Sequence, residues 1–179
     1  MKRVYLPLLL IVIVVLEGTA MDFLPKEWLT SSFYFIPHWV LVVLVYVAIF
    51  YDYDSTYYCV LYGIIFGLLV DIVYTDMLGV YMFTYGLVLY SIHGLKRILH
   101  SNWLVTTLLT VVAVVCADVI VYVLYSIIRE TDITWYTYVY KMLLPTLVAN
   151  VVFALLLLPL LPRKLNDWAE SHLEKSTSV

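Results

Sequence analysis

Apolar blocks long enough to cross a lipid bilayer recur along almost the whole chain, and no other feature of the sequence constrains the fold as strongly. A bilayer core takes about 20 consecutive apolar residues in helical form. Within it every backbone N–H and C=O must find its partner inside the protein. Read between polar or turn-rich breaks, the blocks give spans at Val4 to Ala20, Trp39 to Tyr51, Tyr57 to Tyr74, Met77 to Leu95, Trp103 to Ile128 and Tyr138 to Leu161. The expected fold is an all-α integral membrane protein with a six-helix transmembrane bundle over 1–162 and a cytoplasmic tail over 163–179.

Composition supports that reading, because 64% of the 179 residues are apolar and 13% are charged, whereas a soluble domain is nearer half apolar and about a quarter charged. The net charge of -3 and the dispersed lysines and arginines speak against a nucleic-acid partner and leave membrane lipid as the surrounding medium. The start MKRVYLPLLLIVIVVLEGTA imitates a secretory signal. Glu17 interrupts it just before the small residues, and further spans follow, so it reads as a retained first helix. The second span is short, about 20 Å long. It must borrow from the preceding FYFIPH or lie deep in the bundle.

Six spans put both termini on one side of the membrane. Lys2, Arg3, Lys96, Arg97, Arg163, Lys164 and Lys175 share that side, against Lys26, Arg129 and Lys141 on the other. Cytoplasmic loops are enriched in basic residues, so both termini are expected in the cytoplasm of a multi-pass cell-membrane protein. The acidic loop FYDYDSTYY falls on the same side and is tolerated, because acids contribute little to this bias. Aromatic groups at Phe33, Tyr34, Phe35 and Trp39, at Tyr51, Tyr53, Tyr57 and Tyr58, and at Trp135, Tyr136, Tyr138 and Tyr140 read as interfacial belts. In the tail, Leu165, Trp168, Ala169, His172 and Leu173 fall on one helical face, which suits a short amphipathic helix on the inner membrane surface.

Ionisable groups inside a span are costly and usually face the bundle interior. Glu17, Asp71 and Lys141 lie near the outer ends of their spans and are expected to form an outer polar cluster, the alternative being carboxylates that stay hydrated at the interface. Asp118 and Asn150 lie deeper, at similar depth in the last two spans. They are read as an interhelical pair, with a substrate or proton site, or no contact, left open. Pro145 frees the carbonyl of Lys141 and predicts a bend. Gly63 and Gly67 have the spacing that lets two helix backbones approach, and Asp71 continues the same face, either accepting hydrogen bonds from the following turn or meeting a neighbour.

The sequence shows no phosphate-binding loop, no GxGD motif and no His–carboxylate metal constellation; His38, His93, His100 and His172 are scattered. Cys59 and Cys116 are isolated in apolar stretches and give neither a disulfide framework nor a zinc spacing. No catalytic residue, metal or cofactor is assigned.

The order G-x-x-x-G-x-x-x-D at Gly63, Gly67 and Asp71, then Leu78-Gly79 and Gly86, then Pro145 and Asn150, and Pro159 before Arg163, resembles the rod-shape-determining MreD family over nearly the whole chain. The resemblance implies a non-enzymatic membrane component of the bacterial cell-elongation machinery. Such a component supports lateral peptidoglycan synthesis through a bitopic MreC-type partner, and indirectly through MreB filaments, RodA and a class B penicillin-binding protein. It also implies a six-helix fold similar to the S component of energy-coupling-factor transporters. By the same resemblance, Gly63, Gly67, Asp71, Gly79 and Gly86 shape the third and fourth spans, and Pro145 and Asn150 the last. A transporter S component is the alternative, with Asp71, Asp118 and Asn150 lining a ligand pocket beneath KEWLTSSFYFIPH.

Overall fold

A computed structural model describes residues 4–23, 35–99, 102–128 and 131–176, with side chains over 4–20, 35–99, 102–128 and 131–170. Lys2, Arg3, Lys26, Phe33, Tyr34, His100 and Arg129, residues 26–34 of the expected ligand-covering loop, and the side chains of His172, Leu173 and Lys175 therefore lie outside the described residues. Among the described residues the protein is helical, without strands: α1 (Tyr5–Phe23), α2 (Trp39–Phe50), α3 (Tyr58–Tyr74), α4 (Val80–Lys96), α5 (Trp103–Ile128), α6 (Trp135–Leu157) and α7 (Leu161–Ser176).

The short second helix is the pillar of the structure. Every residue of α2 from Val40 to Ala48 is buried, and α2 touches all six of the other helices. A helix that is apolar all round belongs in the interior. Its 12 residues rise only about 18 Å. Phe35 to His38 lead into it without helical structure, and of the two alternatives for this span the structure shows the second: the helix lies deep in the bundle.

The outer surface is unlike that of a soluble protein. Leu8, Ile11 and Val15 on α1, Ile64, Ile65 and Ile72 on α3, and Val148, Val152 and Leu156 on α6 all point outward. Buried polar side chains, among them Glu17, His38, Asp71, Asp118 and Asn150, occupy the interior instead. Broad exposed apolar surfaces mark a partner or a membrane. Two helices, α5 and α6, are long and apolar enough to cross a bilayer unaided, while the apolar lengths of α1, α2 and α3 are shorter.

Several boundaries differ from the sequence reading, among them the end of α1, which runs on to Phe23 instead of stopping at Ala20. The fourth helix starts at Val80 instead of Met77, because residues 75–79 form the turn out of α3. The last long helix begins at Trp135, and Leu161 opens α7 instead of closing α6. Pro162 then takes the second position of α7, where a missing N–H costs little. Just ahead of Pro145, the residue expected to bend this span, the hydrogen-bond ladder of α6 changes its spacing. The backbone slips into a π-helical turn over Val139–Leu143, with the Leu144 amide donating to the Val139 carbonyl. On α7, Leu161, Leu165 and Ala169 are buried, α7 packs on α2, and the Trp168 ring lies 5.8 Å from that of Tyr5.

Candidate functional site

The entry to α2 gathers most of the buried polar chemistry. Pro37 has no N–H, and the start of any helix leaves several amides without intrahelical acceptors. In a buried setting these groups must be met by side chains. Thr146 accepts the Ile36 amide at 3.0 Å and Asn150 accepts the His38 amide at 2.7 Å. The Asn150 amide group donates to the Ile36 carbonyl at 3.0 Å and to the Thr146 carbonyl at 2.8 Å. Glu17, reaching from α1, accepts the Val40 amide at 3.1 Å. Residues from α1 and α6 thus satisfy the backbone of a segment between them.

The His38 side chain continues inward as a hub. Its Nδ1 lies 3.0 Å from the Tyr85 hydroxyl on α4, and its Nε2 lies 3.4 Å from Asp118 Oδ1 on α5. The other Asp118 oxygen accepts the Tyr138 hydroxyl of α6 at 2.6 Å. Tyr138 in turn stacks on Tyr122, with centroids 3.9 Å apart. The chain Tyr85–His38–Asp118–Tyr138 therefore ties α4, α5 and α6 to the head of α2. A buried network of this kind is favourable when its members are satisfied and costly when one is removed.

Asp71 performs a separate task. It is fully buried, and its carboxylate accepts three backbone amides: Tyr81 at 2.9 Å on one oxygen, Gly79 and Met82 at 3.0 Å each on the other. It is the N-terminal cap of α4. Gly79 supplies the turn with a φ of 97°, a left-handed conformation that side chains resist. The glycines before it set how closely the two helices approach. A Cβ on Gly67 would sit 2.7 Å from the Tyr81 carbonyl oxygen, and one on Gly63 would sit 2.4 Å from the Leu89 side chain. Gly86 faces Ile64 from the other side, where a Cβ would lie 3.0 Å away. The groove of Gly63 and Gly67 is thus filled by α4 of the same chain.

A third carboxylate repeats the pattern between α2 and α3. Asp52 accepts the amides of Tyr58 at 3.1 Å and Cys59 at 2.8 Å, capping α3. Burial pushes its carboxyl above the ordinary value, against the opposing pull of these hydrogen bonds and of Lys96. Lys96 donates to the carbonyls of Ala48 and Asp52 at 2.6 Å each, closing the C-terminal end of α2.

Of the residues expected to meet, the structure brings Glu17, Asp118 and Asn150 to one place but does not join them as expected. Asp118 and Asn150 both bond His38, one to its ring and one to its backbone. Glu17 and Asp71 cap different helices, and among the described residues no ion pair links Lys141, which is exposed, to either acid. The outer Glu17–Asp71–Lys141 cluster is accordingly replaced by two separate helix caps. His38, Tyr85 and Tyr138 were not singled out from the sequence as polar partners. The signal was present in Pro37 before an unusually short apolar helix, which implies buried amides in need of acceptors.

Comparison with known proteins bears on the whole chain. The family model described as rod shape-determining protein MreD matches residues 2–166. The rod shape-determining protein MreD of Bacillus subtilis (strain 168) is 30% identical over 157 residues, covering 88% of this chain and 90% of that protein. No solved structure matches.

Proposed function

The chain belongs to the MreD family of rod shape-determining proteins, and from that premise we propose how it serves the cell-elongation machinery. It is a rod-shape-determining membrane component and not an enzyme. Its task is to hold the machinery of lateral peptidoglycan synthesis through a bitopic MreC-type partner, with MreB filaments, RodA and a class B penicillin-binding protein engaged indirectly. The six helices α1 to α6 cross the bacterial cell membrane with both termini in the cytoplasm, and α7 lies along the inner surface.

The observation that carries this reading is the extent of the family match, which runs from residue 2 into α7. The geometry supports it in kind. Glu17, Asp52 and Asp71 are each engaged by helix N-termini, an arrangement suited to a rigid helical scaffold. Because α4 fills the Gly63–Gly67 groove, a partner helix is received on another face of the protein. Neither the family match nor the relative supports the transporter S-component reading.

Affinity purification of the tagged chain from detergent-solubilised membranes tests the proposal. Recovery of an MreC-type protein together with wall synthases is the expected result. Recovery of a transporter ATPase with its coupling subunit, or of a stoichiometric vitamin-like ligand, overturns it. Reporter fusions at the two ends test the orientation, and an outward-facing terminus would refute it.

A further inference from the structure

At the end of the molecule away from His38, three side chains from different elements turn toward one point. Asp52 follows α2, Cys59 lies in the first turn of α3 and His93 in the last turn of α4. All three are buried, and one ligand atom from each lies within 4.8 Å of the other two. We propose that Asp52, Cys59 and His93 form a binding site for a borderline divalent transition-metal ion, with zinc as the physiological class.

The separations carry the argument. Cys59 Sγ lies 3.9 Å from His93 Nδ1, and Asp52 Oδ2 lies 4.0 Å from the same nitrogen. Without an ion the three groups make only weak contacts with one another, a long Cys59–His93 sulfur hydrogen bond and a thiol–carboxylate hydrogen bond between Cys59 and Asp52. Around a tetrahedral zinc with bonds of about 2.0–2.3 Å, neighbouring ligand atoms stand roughly 3.3–3.7 Å apart, so closing a set that lies within 4.8 Å requires movements of about 1 Å. A second, independent observation concerns the imidazole. His93 is buried, yet its Nε2 has no hydrogen-bond partner. With the proton on Nε2, Nδ1 presents its lone pair toward Cys59 and Asp52, and a metal ion bound there fixes that tautomer.

Donor chemistry selects the ion. One thiolate, one imidazole and one carboxylate suit zinc and its neighbours, whereas magnesium and calcium take oxygen ligands almost exclusively. Binding forms the sulfur–metal bond as the Cys59 thiol releases its proton to water. The thiolate and the Asp52 carboxylate then balance the two charges of the ion. Three protein ligands leave a fourth position. A cavity of about 300 Å³ lined by Asp52, Tyr53, Asp54 and Lys96 adjoins the carboxylate and offers water a route to it. The ion would pin the loop between α2 and α3 to the end of α4.

The test uses the full-length chain purified in detergent, stripped with chelator and titrated with cobalt(II) as a spectroscopic stand-in. One equivalent is expected to bind, with a thiolate-to-cobalt charge-transfer band and the visible bands of a tetrahedral ion, and zinc should displace it. Cys59→Ser should remove the charge-transfer band, and His93→Gln should weaken binding by more than about 100-fold, since even changes behind the ligands cost 10–100-fold. Cys116→Ser, at the exposed second cysteine, should leave both signals unchanged. A wild-type protein that takes up no cobalt overturns the proposal whatever the variants do. So does a charge-transfer band that survives Cys59→Ser.

Discussion

Glu17 on α1 and Lys96 at the end of α4 hold opposite ends of the same buried helix. The carboxylate accepts the Val40 amide at 3.1 Å, and the ammonium donates to the Ala48 carbonyl at 2.6 Å. The Lys96 ammonium therefore meets the negative end of α2, as the helix dipole favours, while Glu17 supplies a hydrogen-bond acceptor at the other end. A short buried helix is thus completed at both ends by side chains of its neighbours.

From this, Glu17→Ala should destabilise the protein by about 1–3 kcal/mol, the cost of leaving a buried donor unpaired. Glu17→Gln keeps an acceptor oxygen and should lose less. Thermal unfolding in detergent, followed by intrinsic fluorescence, decides between them, at roughly 2–4 °C per kcal/mol for a chain of this size. Equal melting temperatures for wild type and Glu17→Ala would show that the cap contributes nothing.

Asp71→Asn should not be mild. An interfacial, hydrated carboxylate would tolerate the change, but Asp71 is fully buried and both its oxygens accept amides. Asparagine turns an NH2 toward donors on one side, so a loss of about 1–3 kcal/mol is expected. Hydrogen exchange at the start of α4 should rise in the variant, and unchanged protection there would count against the cap.

Gly67→Ala and Gly94→Ala form a matched pair. The first drives a Cβ to 2.7 Å from the Tyr81 carbonyl oxygen and 2.9 Å from Met82 Cα, and neither backbone atom can step aside cheaply. Overpacking of this kind costs about 1–3 kcal/mol. The second meets nothing within 4 Å, and the gain from restricting the unfolded chain is about 0.4–1 kcal/mol. The melting temperatures should therefore move in opposite directions, and cell width in a complemented strain should change only with Gly67→Ala.

Tyr138→Phe removes one hydroxyl from the His38 network and leaves Asp118 Oδ2 without its 2.6 Å donor. A loss of about 1–3 kcal/mol is expected, since the abandoned acceptor is buried. In a double-mutant cycle with Asp118→Asn, the two losses should add to more than the loss in the double variant. Strict additivity would mean that the two side chains act independently.

The all-helical membrane class, most helix positions and the α3–turn–α4 unit were legible in the sequence, because each rests on local pattern. Apolar block length, the glycine spacing at Gly63 and Gly67, and the missing amide of Pro145 act within a few turns of chain. The partners of the buried acids were not legible in the same way. Depth along a span placed Glu17, Asp71 and Lys141 together, but depth does not say which way a side chain points around its helix, and Glu17 and Asp71 proved to face different amides.

What the sequence determined by itself is that this chain is apolar, helical and built for a membrane, since burying so much apolar surface and satisfying every amide leaves few alternatives. Tertiary structure alone decided that α2 is the pillar, that His38 is the hub between Asp118 and Asn150, and that Asp52, Cys59 and His93 converge. Those contacts join residues far apart in the chain, and a contact of that kind is fixed by how whole helices rotate and cross when their close-packed faces meet. No local spacing encodes that rotation.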